Sequence, residues 1–326
     1  MDASQSQSAP GSQHNVALQG QSRHAILYNR YAPLDDFHRA VGPPESLTRL
    51  HFPSAPGDIQ ADNLACFTRK HDCKQKDASF PPPQNASNGL LTHSISDLAS
   101  ILAIHILQVL PGDSVLDLCA AEGNNSVVLA QSLWPYLQPS SSAPPMPGAK
   151  KAILHSNEID QSLNGRLSAN LAQYLPASLA TSNQQKVLRI DGTKGVKDLP
   201  VVPGGYDKVF VDVSRYEKQH PAQVQLLLTA LRAVRYGGRA LYSIASVSRE
   251  ENDVVVEAAM AQVQKEKEKG EIIWSVEVEV LEAAVQSGLQ AEWADNTEKG
   301  WMVRPDHAGS GKSGPLYFSL LTKKAA

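Results

Sequence analysis

The chain has 326 residues, 42% hydrophobic and 19% charged, enough to bury one large core with or without a small extension. Its net charge of -3 supplies no global attraction for phosphates, so any nucleic-acid binding must come from a local patch or a partner. No apolar run approaches the roughly 18 residues of a membrane span, and the N-terminus lacks the charged-then-apolar order of a secretory signal. Three cysteines without CxxC spacing, Cys66, Cys73 and Cys119, indicate neither a disulfide framework nor a zinc site, and the ten histidines show no ligand spacing. The expectation is an intracellular protein with free thiols, no membrane contact and no metal.

Residues 1–22 are rich in Ser, Gln and Gly and predict a disordered tail. Neither Arg nor Lys precedes Arg23, so no Arg-rich transit peptide is visible. Over 23–88 the apolar residues Ile26, Leu27, Tyr31, Leu34, Phe37 and Val41 recur at mixed helical spacing. They predict a short helical N-terminal extension that closes in a loop, Phe80 to Asn88, where three prolines forbid helix.

From Gly89 to the C-terminus strands alternate with helices, the pattern of a parallel α/β sheet, so 89–326 reads as one domain. Ser94 and Asp97 resemble a capping box for a helix whose face carries Ile95, Leu98, Leu102, Ile106 and Val109. Strands are expected at Ser114–Leu118, Ala152–Ile159, Lys186–Ile190, Lys208–Val213, Arg239–Ile244 and Pro315–Thr322. A helix is expected from Pro221 to Tyr236, ended by Gly237-Gly238, and another after a capping box of Ser248 and Glu251, reaching about Lys269. Pro139 to Lys150 reads as a Ser/Pro/Ala surface loop.

Acidic residues end three successive predicted strands: Asp117, Glu158 and Asp191. After Asp117 the small residues of Cys119-Ala120-Ala121-Glu122-Gly123-Asn124-Asn125 let backbone amides approach a ligand at a helix N-terminus. Glu158 suits ribose hydroxyls, and Asp191-Gly192 suits an adenine amino group. Any one of these could be a solvated strand-end turn. Three in register point to a nucleoside cofactor.

VLDLCAAEGNN (115–125), SNEID (156–160), RIDGT (189–193), YDKVFVDV (206–213), the helix and strand through YSIAS (242–246), and GPLYFSLLTKK (314–324) resemble, in order and spacing, the motifs of the Sun-domain (RsmB/Nop-type) RNA cytosine-C5 methyltransferases. The likeness is greatest to the mitochondrial ribosomal-RNA members. It implies a Rossmann-like S-adenosylmethionine-dependent methyltransferase fold of about seven strands, mostly parallel with one antiparallel near the C-terminus. It also implies an RNA partner, ribosomal by this resemblance, a role in ribosome assembly with a protein partner, and a mitochondrial location. Carried over by position, the cofactor contacts are Cys119, Gly123, Asn124, Asn125, Glu158, Asp191, Gly192 and Asp212, with Cys119 as a small buried residue.

Departures from the family pattern concern both cofactor and chemistry. Asn124 and Asn125 stand where the family has Gly and Lys, Glu122 replaces a proline, and Leu163 replaces an arginine. The two catalytic cysteines fall on Arg215 and Ala245. Carbon 5 of cytosine accepts a methyl group only after a thiolate adds at carbon 6, so catalytic residues for that chemistry are absent. Ser214 and Ser246 lie nearby with no base beside them in sequence. The loop after strand four, basic in the family, is reduced to Arg215–His220, and the basic candidates left for RNA are Lys150-Lys151, Arg232, Arg235 and Lys323-Lys324. The sequence thus predicts a cofactor-binding RNA cytosine-C5 methyltransferase relative, degenerate in catalysis. The alternative is an active RNA methyltransferase acting on a nitrogen or oxygen, which needs no covalent adduct.

Overall fold

The computed structural model describes residues 24–56, 64–69, 80–137, 151–307 and 313–325. The predicted tail at 1–22, the whole of the predicted loop at 139–150 with Lys150, and Cys73 lie outside the described residues.

The N-terminal extension is a small antiparallel sheet and one helix rather than a set of short helices. It holds β1 (His24–Tyr28), α1 (Leu34–Val41), β2 (Leu47–Arg49) and β3 (Cys66–Arg69). A fourth strand, β4 (His93–Asp97), completes the order β2-β3-β1-β4. The helical spacing misled because β1 is buried on both faces. Ile26 packs with Phe37, Val41 and Leu47 on one side, while Ala25 and Leu27 join the main core on the other. A strand buried on both faces shows a continuous apolar run rather than alternation. Phe80 to Asn88 is irregular apart from one bridge at Asn85, in line with its prolines.

The expected capping box at Ser94 resolves differently for the same reason. Ser94, Ile95 and Ser96 pair with β1, and the helix α2 (Leu98–Leu107) starts after them, with the Asp97 carboxylate accepting from the Ala99 amide at 2.8 Å. This helix is apolar almost all round and lies inside the core.

The main sheet begins with β5 (Ser114–Asp117), followed by α3 (Asn124–Leu133), β6 (Ile153–Asn157), α4 (Gln161–Tyr174), α5 (Ala177–Thr181) and β7 (Gln185–Leu188). The chain then crosses to the other side of β5, laying down β8 (Tyr206–Asp212), α6 (His220–Ala233) and β9 (Val234–Ile244). These five strands are parallel in the order β9-β8-β5-β6-β7, so the direction of winding reverses at β5. In such sheets the ligand crevice opens beyond the carboxyl ends of the strands at that reversal. The predicted helix end at Gly237-Gly238 falls instead inside β9. Helix α6 stops at Ala233, and the register against β8 shifts between Tyr206 and Lys208 to accommodate the glycines.

The C-terminal part is richer in antiparallel strands than expected. After α7 (Asp253–Glu268) come β10 (Trp274–Val278), α8 (Ala283–Glu292), β11 (Asp295–Asn296), β12 (Trp301–Val303) and β13 (Leu316–Ala325). Strand β13 runs antiparallel to β9, as the sequence predicts, but β10 and β12 both pair antiparallel with β13, and β11 with β12, giving a nine-stranded sheet. Strands of two or three residues carry too little alternation to be read from sequence.

The small sheet is tied to the large one by a buried side chain. Asn29 donates to the carbonyls of Leu91 (2.7 Å) and Tyr174 (3.0 Å) and accepts from Gln131 Nε2 (3.0 Å), so one amide joins the extension to α3 and α4. Tyr31 adds a bond from its hydroxyl to the Ala130 carbonyl at 2.6 Å.

Candidate functional site

The turn after β5 places its backbone for close approach. Ala121 (φ 49°) and Gly123 (φ 92°) both take the left-handed conformation, and Gly123 caps α3. The φ of Gly123 favours glycine, and a Cβ there would also lie 2.6 Å from Leu167 Cδ1, which would have to shift. Asn124 and Asn125 open α3. The Asn125 amide donates to Asp212 at 3.2 Å, and Asn170 donates to the Glu122 carbonyl at 2.8 Å. Glu122 meets Arg166 at 2.8 Å in an exposed ion pair. The charge introduced at Glu122 is therefore answered by a helix α4 cation on the surface.

Asn157, at the end of β6, holds three strand ends in place. Its amide donates to the carbonyls of Leu118 and Ile190, both at 3.0 Å, and its carbonyl accepts from the Ile190 amide at 2.8 Å. Around it opens a cavity of about 190 Å³ lined by apolar Leu118, Ile159, Ile190 and Leu226, and by Cys119, Glu158, Asp160, Gly192, Arg215 and Tyr216. Glu158 is buried and accepts from the Asp160 amide at 2.8 Å through one carboxylate oxygen. Asp160 caps α4 by accepting from Leu163 at 2.9 Å, and backbone hydrogen bonds at this cap hold its carboxyl below the usual range.

Among the residues predicted to contact a cofactor, Cys119, Glu158 and Gly192 line this cavity. Asp212 and Asn125 are bonded to each other beside it, and Gly123 and Asn124 form the neighbouring turn. Asp191 precedes Gly192, but its carboxylate is engaged within its own turn, with Thr193 Oγ1 donating at 2.6 Å and Lys194 at 3.2 Å. Sequence reasoning passed over the role of Asn157 and Asp160, although both stand in the SNEID segment. Their signal is the strand-to-helix junction itself, where a strand-end amide and an N-cap carboxylate are both expected.

Asp117 is fully buried, with one oxygen accepting from Ser126 at 2.6 Å. Burial pushes it up to about 7, and nearby Asp212 and Glu158 add to the effect. A carboxyl that ionises near 7 when folded and near 4 when unfolded binds its proton more tightly in the folded state. Its contribution therefore weakens stability as pH rises from about 4 to about 7. Asp117→Asn is expected to be more stable than wild type at pH 7.5, with the difference vanishing by pH 4, in urea unfolding at both pH values. The comparison must be between variants, because buried His155, held down to about 4 chiefly by burial, gives the opposite slope in the same window. A difference independent of pH would contradict this.

Arg215 lies in the short turn Ser214–Tyr216 after β8, and Ala245 follows β9. The two positions are adjacent, because Ser214 Oγ accepts from the Ala245 amide at 2.9 Å. Contrary to the sequence expectation, each nearby serine does have a carboxylate beside it. The Ser214 hydroxyl donates to Asp212, and that of Ser246 donates to Glu251 at 2.7 Å. A carboxylate is far too weak a base to generate an alkoxide, and the Ser214 oxygen is already occupied by Ala245. Cys119 does not replace the missing thiols either, since burial and the charges of Asp117, Asp212 and Glu158 raise its thiol well above the ordinary value.

Glu251 is not a capping residue as predicted. Helix α7 starts at Asp253, and the buried Glu251 carboxylate instead accepts from the Lys218 amide, from Gln223 (3.0 Å) and from Ser246, stitching together the loops after β8 and β9. Four of the candidate RNA cations are committed too. Arg232 pairs with Glu266 (2.7 Å), Arg235 with Asp207, Lys324 with Glu277 (2.6 Å), and Lys323 is buried, donating to the Val234 carbonyl at 2.9 Å. Lys151 is exposed. Among the described residues no group of three or more His, Cys, Asp or Glu could hold a metal ion, and no helix is long and apolar enough to cross a membrane.

No family model matches the chain. Among curated proteins it is 30% identical over 246 residues to the 5-cytosine rRNA methyltransferase NSUN4 of Bos taurus, an alignment covering 69% of this chain and 58% of that protein. It is 27% identical over 329 residues to the mitochondrial tRNA (cytosine(34)-C(5))-methyltransferase of Danio rerio, covering 92% of this chain and 79% of that protein. Thus the chain matches little more than half the length of the bovine relative. Among solved structures it is similar to a methyltransferase homologue from Pyrococcus horikoshii, with a TM-score of 0.59 at 16% identity over 94% of this chain and 88% of that one. It is also similar to NSun6 from Pyrococcus horikoshii with SFG, with a TM-score of 0.50 at 16% identity over 71% of this chain and 53% of that one. The fold is therefore the Rossmann-like fold of S-adenosylmethionine-dependent methyltransferases.

Proposed function

Starting from homology to the RNA cytosine-C5 methyltransferases, we propose that this chain binds S-adenosylmethionine in the cavity beyond β5, β6 and β7 and associates with ribosomal RNA without methylating cytosine carbon 5. The observation that carries this reading is the pairing of an intact nucleoside half with an altered chemical half. Glu158, Gly192 and the apolar walls Ile159, Ile190 and Leu226 surround one cavity. Arg215 and Ala245, neither of them able to add to a pyrimidine, occupy the two adjacent strand ends.

In this proposal Glu158 accepts the ribose hydroxyls, and Leu118, Ile159, Ile190, Leu226 and Tyr216 exclude water from the adenine. The amides of Asn124 and Asn125 at the start of α3 face the amino-acid end. The cofactor would supply an activated methyl group. The residues of this chain orient it, but none of Arg215, Ala245 and Cys119 can supply the thiolate that the carbon-5 reaction requires. Transfer to a nitrogen or oxygen gains no support, because Asp212, the acid nearest such a motif, is spent on Ser214 and Asn125. A mitochondrial location is proposed from the mitochondrial relatives of Danio rerio and Mus musculus, and a protein partner in ribosome assembly from the commitment of Arg232, Arg235, Lys323 and Lys324, four of the basic residues expected to face RNA, to partners within the chain.

Calorimetry tests the binding half. Wild-type protein is expected to bind S-adenosylmethionine measurably, and Glu158→Ala to weaken it by about tenfold, the loss of one charge-assisted contact. No heat at millimolar cofactor would contradict the reading.

A further inference from the structure

With the ribose on Glu158 and the amino-acid end at the start of α3, the atom joined to the 5′ carbon lies between the two, and the acid bonded to that helix start is Asp212. Its carboxylate accepts from the Ser214 amide at 3.0 Å, from the Ser214 hydroxyl, and from the Asn125 side-chain amide at 3.2 Å. All three donors are neutral. They satisfy the carboxylate oxygens but leave the net charge in place. Asp212 is half-buried, and burial raises its carboxyl above the ordinary range against the pull of the Ser214 and Asn125 donors. A cation brought close would favour the ionised form.

The chain's own cations answer other acids. Arg166 pairs with Glu122 and Lys194 with Asp191. Arg189 and Arg215 both face Asp160, and Arg189 is anchored by its Nε on the Ile159 carbonyl at 3.2 Å. Among the described residues none of the four forms an ion pair or hydrogen bond with Asp212, Glu158 or Asp117. The cavity wall is therefore negative, and the Cys119 thiol within it registers the field, raised first by burial and then by the carboxylates of Asp117, Asp212 and Glu158. Asp117 sheds part of its charge by keeping a proton near neutral pH, which leaves Asp212 and Glu158. Glu158 meets a ribose that any adenosyl ligand carries. Asp212 meets the position at which such ligands differ.

We infer that the site selects its ligand by the charge on the 5′ substituent: it retains the adenosyl sulfonium and rejects the neutral adenosyl thioether of the demethylated cofactor, with Asp212 setting the selectivity and Asn125 as the neutral neighbour that permits it. Occupancy then follows the ratio of methylated to demethylated cofactor rather than the total of the two. This inference rests on the cofactor-site reading above and adds to it which form of the cofactor the chain holds.

The test is calorimetric titration of full-length protein with S-adenosylmethionine, with S-adenosylhomocysteine, and with sinefungin, which carries an ammonium in place of the sulfonium. Wild type is expected to bind the two cationic ligands about tenfold more tightly than the thioether. Asp212→Asn removes the charge at nearly constant shape, and Asn125→Lys sets an ammonium against it. Each should keep the thioether affinity and lose the preference, whereas Glu158→Ala should weaken all three ligands together. Because the thioether is titrated against every variant, a collapsed site is distinguished from a lost preference. If wild type binds the thioether as tightly as the sulfonium, or the preference survives in either variant, the inference is overturned while the cofactor site stands. Loss of all ligands in both variants would overturn it too, by showing that Asp212 holds the site together rather than reading charge. If no ligand binds wild type, the cofactor-site reading and the inference fail together.

Discussion

Wild-type protein is expected to form no covalent adduct with RNA containing 5-azacytidine, assayed as a shifted band under denaturing conditions. Trapping requires a thiolate to add at carbon 6. The positions that would provide one are Arg215 and Ala245, and the thiol nearest the site, Cys119, is held protonated first by burial and then by the carboxylates of Asp117, Asp212 and Glu158. Loss of a nucleophile that acts with its partners as a unit costs about a million-fold in rate in a well-studied protease, so the adduct should be undetectable rather than reduced. Ala245→Cys alone, or together with Arg215→Cys, should remain far below an active relative. The Ser214 hydroxyl already spans the gap between the two strand ends, and a displacement of about an ångström can itself cost around a hundred-fold. Efficient trapping by the double variant would show that only the two side chains, and not the loops carrying them, had been altered.

The second large effect is expected at Glu251. Its buried carboxylate takes donors from Lys218, Gln223 and Ser246, and Gln223 in turn donates to the Tyr216 carbonyl at 2.8 Å behind the cavity wall. Glu251→Ala removes one acceptor and strands three donors, so a loss of about 3 kcal/mol in urea unfolding is expected. Glu250→Ala is the control. That neighbour is exposed and accepts from the Ser248 hydroxyl, so it should stay within about 0.5 kcal/mol. Equal effects from the two glutamates would mean that Glu251 does not stitch the loops together.

The parallel strands were legible because each ends in an acid or small-residue turn that sequence displays directly. Asp117, Glu158 and Asp191 all close strands or follow them within three residues. The N-terminal sheet was not legible. Its pairs join Ile26 to Phe67 and to Ile95 across long stretches of chain, and no local period announces them. At the site, Glu158 and Gly192 were identified by their place in the motifs, whereas the engagement of Asp191 by its own turn, of Asn125 by Asp212 and of Ser214 by Ala245 depends on which side chains meet in space. Glu251 misled for a related reason. Three residues after Ser248 it has the spacing of a capping box, but burial beside Gln223 gives it donors from three separate segments and leaves the helix to start later.

Incubation of wild-type protein with ribosomal RNA and S-adenosylmethionine labelled in its methyl group, followed by separate counting of protein-bound label and of nucleosides from the digested RNA, tests both halves of the account in one sample. The expected result is label retained on the protein and no 5-methylcytidine above a no-protein control. Labelled 5-methylcytidine, or protein that retains no label at saturating cofactor, would contradict it.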